Sequence, residues 1–278
     1  MTYRDILVQI DAEAGPARYA IAAELASRAR GVVTGVYLKT TLINQYNNIS
    51  AIAYLPPIDL DRMIREHNEG QEAAAARSGA QLTTAAKARD AQCATRVIGG
   101  DTPDDLVAET RRADLVILAP PSSAPAYNVH ASPVDVCLAG GGPVLVVPDG
   151  WAGDRVGARP LVAWNGSREA ARALRDALPL FDSGATVEVR IARHKDALTD
   201  DAAPIRQHLE RHGLRANVVS EVDDGRSIGD WLRSEAKAAG CDMLVMGLYG
   251  HARMQEFVLG GVSHDMLHAP GLPLLISH

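Results

Sequence analysis

Residues 160–180 read PLVAWNGSREAARALRDALPL. The first six are apolar up to one polar residue, Asn165, as in a buried strand that ends where it meets solvent. The next fifteen, GSREAARALRDALPL, give a short polar loop and then an amphipathic helix. Strand, loop and helix in that order begin a parallel α/β unit.

The same opening stands at the head of the chain. Residues 5–11, DILVQID, form an apolar strand closing on an acid, and ARYAIAAELASRAR at 17–30 follows as a helix. The later strands match as well. ADLVIL at 113–118 and CDMLVM at 241–246 are apolar on both faces, the pattern of strands inside a parallel sheet. PVLVVP at 143–148 and PLLISH at 273–278 are proline-led closing strands, with Pro tolerated at the first position. The chain therefore reads as a repeat of two β-α-β-α-β-α-β-α-β units. In the second unit strands are expected near 160–165, 185–192, 215–220, 242–246 and 273–277. Helices are expected near 167–178, 201–212, 227–238 and 255–268. Asp11 to Ala119 spans 108 residues and Asn165 to Gly247 spans 82, so the first unit is longer by 26. That surplus is assigned to an insertion near 40–66. The first unit covers 1–148, a linker rich in Gly and charge covers 149–158, and the second unit covers 159–278.

Composition narrows the function classes. Of the 278 residues 45 are Ala, against two Phe and three Trp, and mean hydropathy is −0.06. Alanine favours helix and buries little area, which suits helices lying close on small sheets. A net charge of −6 argues against a general nucleic-acid binder. No run of 18 apolar residues predicts a membrane span, and the charged, alternating N-terminus does not read as a signal peptide. Three cysteines without a CxxC pair predict neither a disulfide framework nor a zinc site, and a cytoplasmic location is expected. The basic residues divide into 24 Arg and four Lys, and no Lys follows a Gly-x-x-x-x-Gly run, which excludes a Walker A loop.

In open parallel sheets ligands bind beyond the carboxyl ends of the strands, at the switch point. That directs attention to the residues after strands one and four of each unit. After strand four of the second unit come Gly247-Leu-Tyr-Gly250, nine further residues, and then Gly260-Gly261-Val262-Ser263. Glycines let backbone approach a ligand closely, and N–H groups at a loop or helix start face an anion. The cluster reads as a phosphate cradle.

The Gly-x2-Gly-x9-Gly spacing, with VAWNGSREAARALRDALPL before it and FVLGGVSHDMLHAPGLPLLISH around its end, resembles the nucleotide motif of the universal stress protein family. Both halves share the likeness, and the chain looks like a tandem member of the bacterial type. The resemblance implies two tandem Rossmann-like domains of the adenine nucleotide alpha hydrolase-like class, each a five-stranded parallel sheet flanked by helices. It implies a non-enzymatic, regulatory role in the stress response through binding ATP, ADP or AMP in the C-terminal domain, with Mg held through the phosphates. Carried over by position, Asn165 and Gly166 face the adenosine part, and a strand-two residue near Ile191 contacts adenine through backbone. Gly247, Gly250, Gly260, Gly261, Val262 and Ser263 hold phosphate. His251 and Arg253, after the first glycines, are weaker candidates. The resemblance also implies association, as a homodimer or by pairing of the two domains within one chain.

Two positions depart from the family pattern. Asn165 replaces the usual Asp and loses its charge. Gly261 replaces a usual Ser or Thr and loses a hydroxyl donor, a change of about 1 kcal/mol. The first unit departs further. It keeps Asp11, but APPSS at 119–123 stands where the glycine loop belongs, and Pro120 and Pro121 have no N–H to offer. Gly140-Gly141-Gly142 comes too late to match and reads as a turn. The first unit is therefore expected to be degenerate, with Asp11 at most a weak site. His264 and His268 have the spacing of a metal pair but no third ligand, so a solvated helix face is expected. Tyr46, Tyr54 and Pro56-Pro57 in the insertion fit either a lid or a partner surface. No acid–base constellation accompanies the glycines, and no Ser-Gly-Gly-x-Asp-Ser loop or HIGH motif is present. The alternatives to a nucleotide-binding regulator are a nucleotide-free scaffold and a weak ATP hydrolase.

Overall fold

The computed structural model describes residues 2–12, 14–42, 57–121, 132–193, 201–222, 227–248 and 261–278. The first unit runs β1 (Asp5–Ile10), α1 (Pro16–Ala29), β2 (Val32–Lys39), α2 (Pro57–Lys87), β3 (Gln92–Gly99), α3 (Pro103–Thr110), β4 (Leu115–Leu118), α4 (Pro133–Gly140) and β5 (Val144–Val146). The second repeats the order with β6 (Pro160–Trp164), α5 (Arg168–Ala177), β7 (Thr186–Arg193), α6 (Ala202–Arg211), β8 (Arg215–Val222), α7 (Ile228–Ala239), β9 (Met243–Gly247), α8 (Gly261–His268) and β10 (Leu274–Ser277). This is the α/β architecture expected, a mostly parallel sheet flanked by helices.

Local chemistry explains the boundaries. Ser132, Ser167 and Ser227 cap α4, α5 and α7, each hydroxyl accepting from the backbone N–H three residues on. Pro16 and Pro103 open α1 and α3, where a missing N–H costs nothing. β4 and β9 are buried on both faces, as their unbroken apolar runs require. Much of the first unit's extra length lies in α2, which has 31 residues against 10 in α6. Residues 57–66 of the expected insertion are its first turns, while 43–56, with Tyr46, Tyr54 and Pro56, lie outside the described residues.

The ten strands form one sheet in the order β3-β2-β1-β4-β5-β10-β9-β6-β7-β8. Each unit is parallel within itself, and the seam between them is antiparallel, with Leu145 opposite Leu275. Both leucines are fully buried in a core that continues from one unit into the other, each burial contributing roughly 1.5–3 kcal/mol. Side chains reinforce the seam. Arg28 of α1 donates to the Asp182 carboxylate at 2.7 Å and the Leu180 carbonyl at 2.9 Å, and the Tyr3 hydroxyl donates to the Asp176 carbonyl. Among the described residues, no helix is long and apolar enough to cross a membrane.

Candidate functional site

The order β2-β1-β4 in the first unit and β7-β6-β9 in the second places a switch point beside β1 and beside β6. In the second unit, β6 and β9 are in parallel register with Val162 opposite Val245. Two residues further on, Trp164 ends β6 and Gly247 ends β9, so the two strands stop level with each other. Asn165 and Gly166 follow at once and are exposed. The crossover from β9 to its parallel neighbour β10 passes through α8, which puts the start of α8, at Gly261, on the same edge of the sheet.

The turn after β6 is tightly specified. Gly166 has φ +74, a left-handed conformation that glycine adopts freely. The Asn165 side-chain oxygen accepts from the Ser167 N–H at 3.1 Å, and the Ser167 hydroxyl caps α5. Trp164 donates its indole N–H to Asp201 at 3.1 Å, fixing the start of α6 beside this turn. With Leu174, Arg175, Ile205 and His208, these two residues line an open cleft between α5 and α6.

Gly247 meets a steric demand of its own. A Cβ there would lie 2.4 Å from the Glu169 carbonyl carbon and 2.6 Å from the Ala170 nitrogen. The first turn of α5 thus lies directly on the end of β9, helped by the buried alanines 170, 173 and 177. Glu169 is itself buried there. Burial pulls its carboxyl upward, but hydrogen bonds from Arg168 and from its own backbone N–H prevail and hold it below the usual carboxylate range.

The structure brings Asn165, Gly166, Gly247 and the first turn of α8 to one edge of the sheet. Ser263 in that turn is buried and Val262 packs on the core. Ile191 is 4% exposed, its side chain in the core and its backbone in register between Trp164 and Ser220. Gly250, His251, Arg253 and Gly260 lie outside the described residues. His264 and His268 stack with ring centroids 4.1 Å apart, and His268 Nδ1 is bonded to the His264 carbonyl. Among the described residues no group of three or more His, Cys, Asp or Glu is placed to hold a metal ion.

At the corresponding strand end of the first unit, Asp11 already has partners within the chain. Asp11 pairs at 2.6 Å with Arg18, whose side chain is 1% exposed and whose other terminal nitrogen binds Asp149. The Asp11 carbonyl accepts from Ser78 at 2.8 Å. Arg18 was missed by sequence reasoning. Its signal is positional: Pro16 and Arg168 start the two equivalent helices, so Arg18 falls where the second unit has Ala170.

The family model of the universal stress protein family matches residues 159–278. Among solved structures, a universal stress protein from Archaeoglobus fulgidus DSM 4304 aligns over 99% of this chain and 96% of its own, with 14% identity and a TM-score of 0.73. A functionally unknown protein from Pseudomonas aeruginosa PAO1 aligns over 99% and 92%, at 16% identity and a TM-score of 0.57. A putative universal stress protein from Pseudomonas aeruginosa UCBPP-PA14 gives 99% and 93%, again with 16% identity and a TM-score of 0.57. At such identities the likeness speaks to the fold. No curated protein matches the sequence.

Proposed function

From the match of residues 159–278 to the model of the universal stress protein family, we infer that the chain is a cytoplasmic, non-enzymatic stress-response regulator that binds an adenine nucleotide in its second unit. One observation carries the reading: the level ends of β6 and β9 and the start of α8 share one edge of the sheet at the switch point. Backbone N–H groups of Gly247 and Gly250 and from Gly260 to Ser263 would hold the phosphates, with the helix dipole adding to the attraction. Mg would be held through those phosphates. Asn165 and Gly166 would meet the ribose, and backbone near Ile191 the adenine. Such a ligand acts by favouring one conformation or assembly over another, to the extent of its differential affinity.

A nucleotide-free scaffold is favoured by a different observation. Two motif positions already have structural duties: the Asn165 oxygen holds the Ser167 amide, and Gly247 admits α5. Mass analysis of the protein as purified, followed by calorimetry with ATP, ADP and AMP on stripped protein, separates the readings. Binding heat that is lost in Gly250→Tyr and kept in Asp11→Asn supports the nucleotide site. Absence of heat and of thermal shift at millimolar ligand leaves the scaffold. Steady ATP turnover lost in Gly250→Tyr identifies a hydrolase.

A further inference from the structure

β5 and β10 consume each other's edges within the chain, so the outer strands of the sheet are β3 and β8. They differ. Along β8, Val218 and Val219 are half-buried and the charged residues Arg215 and Glu221 stand near the ends. β3 is exposed at six of its eight residues, holds one charge, Arg96, and leaves Val97 56% exposed. A long edge with a single charge and, among the described residues, no partner strand on its outer side is a template for another strand.

We propose that β3 pairs antiparallel with β3 of a second copy of this chain, with the twofold axis at Thr95. The ladder limits the register to axes that fall on a residue. The Gly100 N–H donates to the Lys39 carbonyl at 3.0 Å. Alternation by two then turns the backbone groups of Ala94, Arg96 and Ile98 toward β2, and those of Cys93, Thr95 and Val97 toward the open side. Outward residues must face outward residues. An axis at Arg96 sets two guanidinium groups opposite each other, which is unfavourable. An axis at Thr95 sets Thr95 on Thr95, Cys93 opposite Val97, Ala94 opposite Arg96 and Gln92 opposite Ile98. No like charges meet.

A second element fits the same axis. α2 lies over β3 and β2, and a Cβ on its Gly79 would lie 3.3 Å from Thr95 Cγ2. The axis therefore passes beside α2 at the level of Gly79. Lys87 lies eight residues beyond it and Glu72 seven before it, about 12 and 10 Å along the helix. An antiparallel copy brings Glu72 of one chain level with Lys87 of the other, on both sides of the axis. Both are exposed, and Glu72 already binds Lys39 at 3.2 Å. Strand spacing sets the two α2 helices about 10 Å apart, a normal packing distance. The exposed residues near the axis, Ala73, Ala76 and Ala80, are small enough for that approach.

Sedimentation equilibrium on the full chain tests the pairing. The wild type is expected to show a concentration-dependent dimer, and Val97→Lys, at an exposed position, a monomer with unchanged circular dichroism and a melting temperature that, unlike that of the wild type, does not depend on concentration. Thr95→Cys is expected to form a disulfide-linked dimer under mild oxidation that the wild-type thiols do not form, and Val97→Lys in the same chain to suppress it. A wild type that stays monomeric over the whole range overturns the proposal. So does a dimer that survives Val97→Lys, or a Thr95→Cys chain that does not cross-link.

Discussion

Arg18 lies wholly beneath the surface and joins Asp11 at 2.6 Å, so the acid just after β1 is paired with a cation from the helix that follows it. The same guanidinium reaches Asp149 in the linker and ties the first unit to the path leading into the second. Arg18→Ala removes a buried stem and leaves two carboxylates without their cation. Asp11 and Asp149 are a third and a half exposed, so water relieves part of the loss. The expected cost is about 1–3 kcal/mol, below that of breaking a fully buried pair. The urea midpoint should fall accordingly, and a midpoint equal to wild type would show that the pair contributes nothing.

Gly247 connects fold and site. Gly247→Ala forces a methyl against the Glu169 and Ala170 backbone at 2.4–2.6 Å, where no flexible side chain is available to yield. α5 must lift from β9, at about 1–3 kcal/mol. Ligand-free protein should therefore melt earlier. If the glycine served a ligand alone, the ligand-free melting temperature would not move, and only binding would.

The elements of both units were legible because their signals are local. The apolar runs at 115–118 and 243–247, the serine caps and the alanine-rich helix faces each announce themselves within a few residues. The expected helix near 167–178 is α5 at 168–177, and the strand near 215–220 is β8 at 215–222. Long-range pairings left no such mark. Nothing in PVLVVP or PLLISH says that Leu145 meets Leu275 across an antiparallel seam, since either strand is equally apolar with any neighbour. At the site, Asn165 and Gly247 were legible as positions on the strand ends. Their ties to Ser167 and to α5 were not, because a hydrogen bond two residues on and a steric contact 78 residues away leave the same letters in the sequence.

The thiols give a test of packing. Burial pushes Cys137 up to about 12 and Cys241 up to about 11, and nearby Asp176 and Glu188 add to the respective shifts. At pH 8 such groups are thiolate in roughly one molecule in a thousand or fewer, and both are buried. Cys93 is half-buried and also shifted upward by burial. In dilute native protein a disulfide reagent should label Cys93 slowly and spare the other two, with all three reacting in denaturant. Rapid native labelling of Cys137 would contradict the packing of α4 against the seam.

His208 on α6 should give the fold a pH dependence. Burial lowers its affinity for a proton, and His212, Arg211 and Arg175 lower it further by repulsion. Above pH 6.5 the imidazole is neutral in both the folded and the unfolded chain and contributes no difference. As pH falls through 6.5 the unfolded chain takes up the proton more readily than the folded one, so stability declines toward pH 5. His208→Gln abolishes this contribution while keeping a polar group at the rim of the cleft. The difference in urea midpoint between pH 7.5 and pH 5 should therefore be smaller in the variant than in the wild type. An unchanged difference would mean that His208 takes up its proton as easily folded as unfolded, and that the ring is more open to water than its place beside Trp164 and Ile205 indicates.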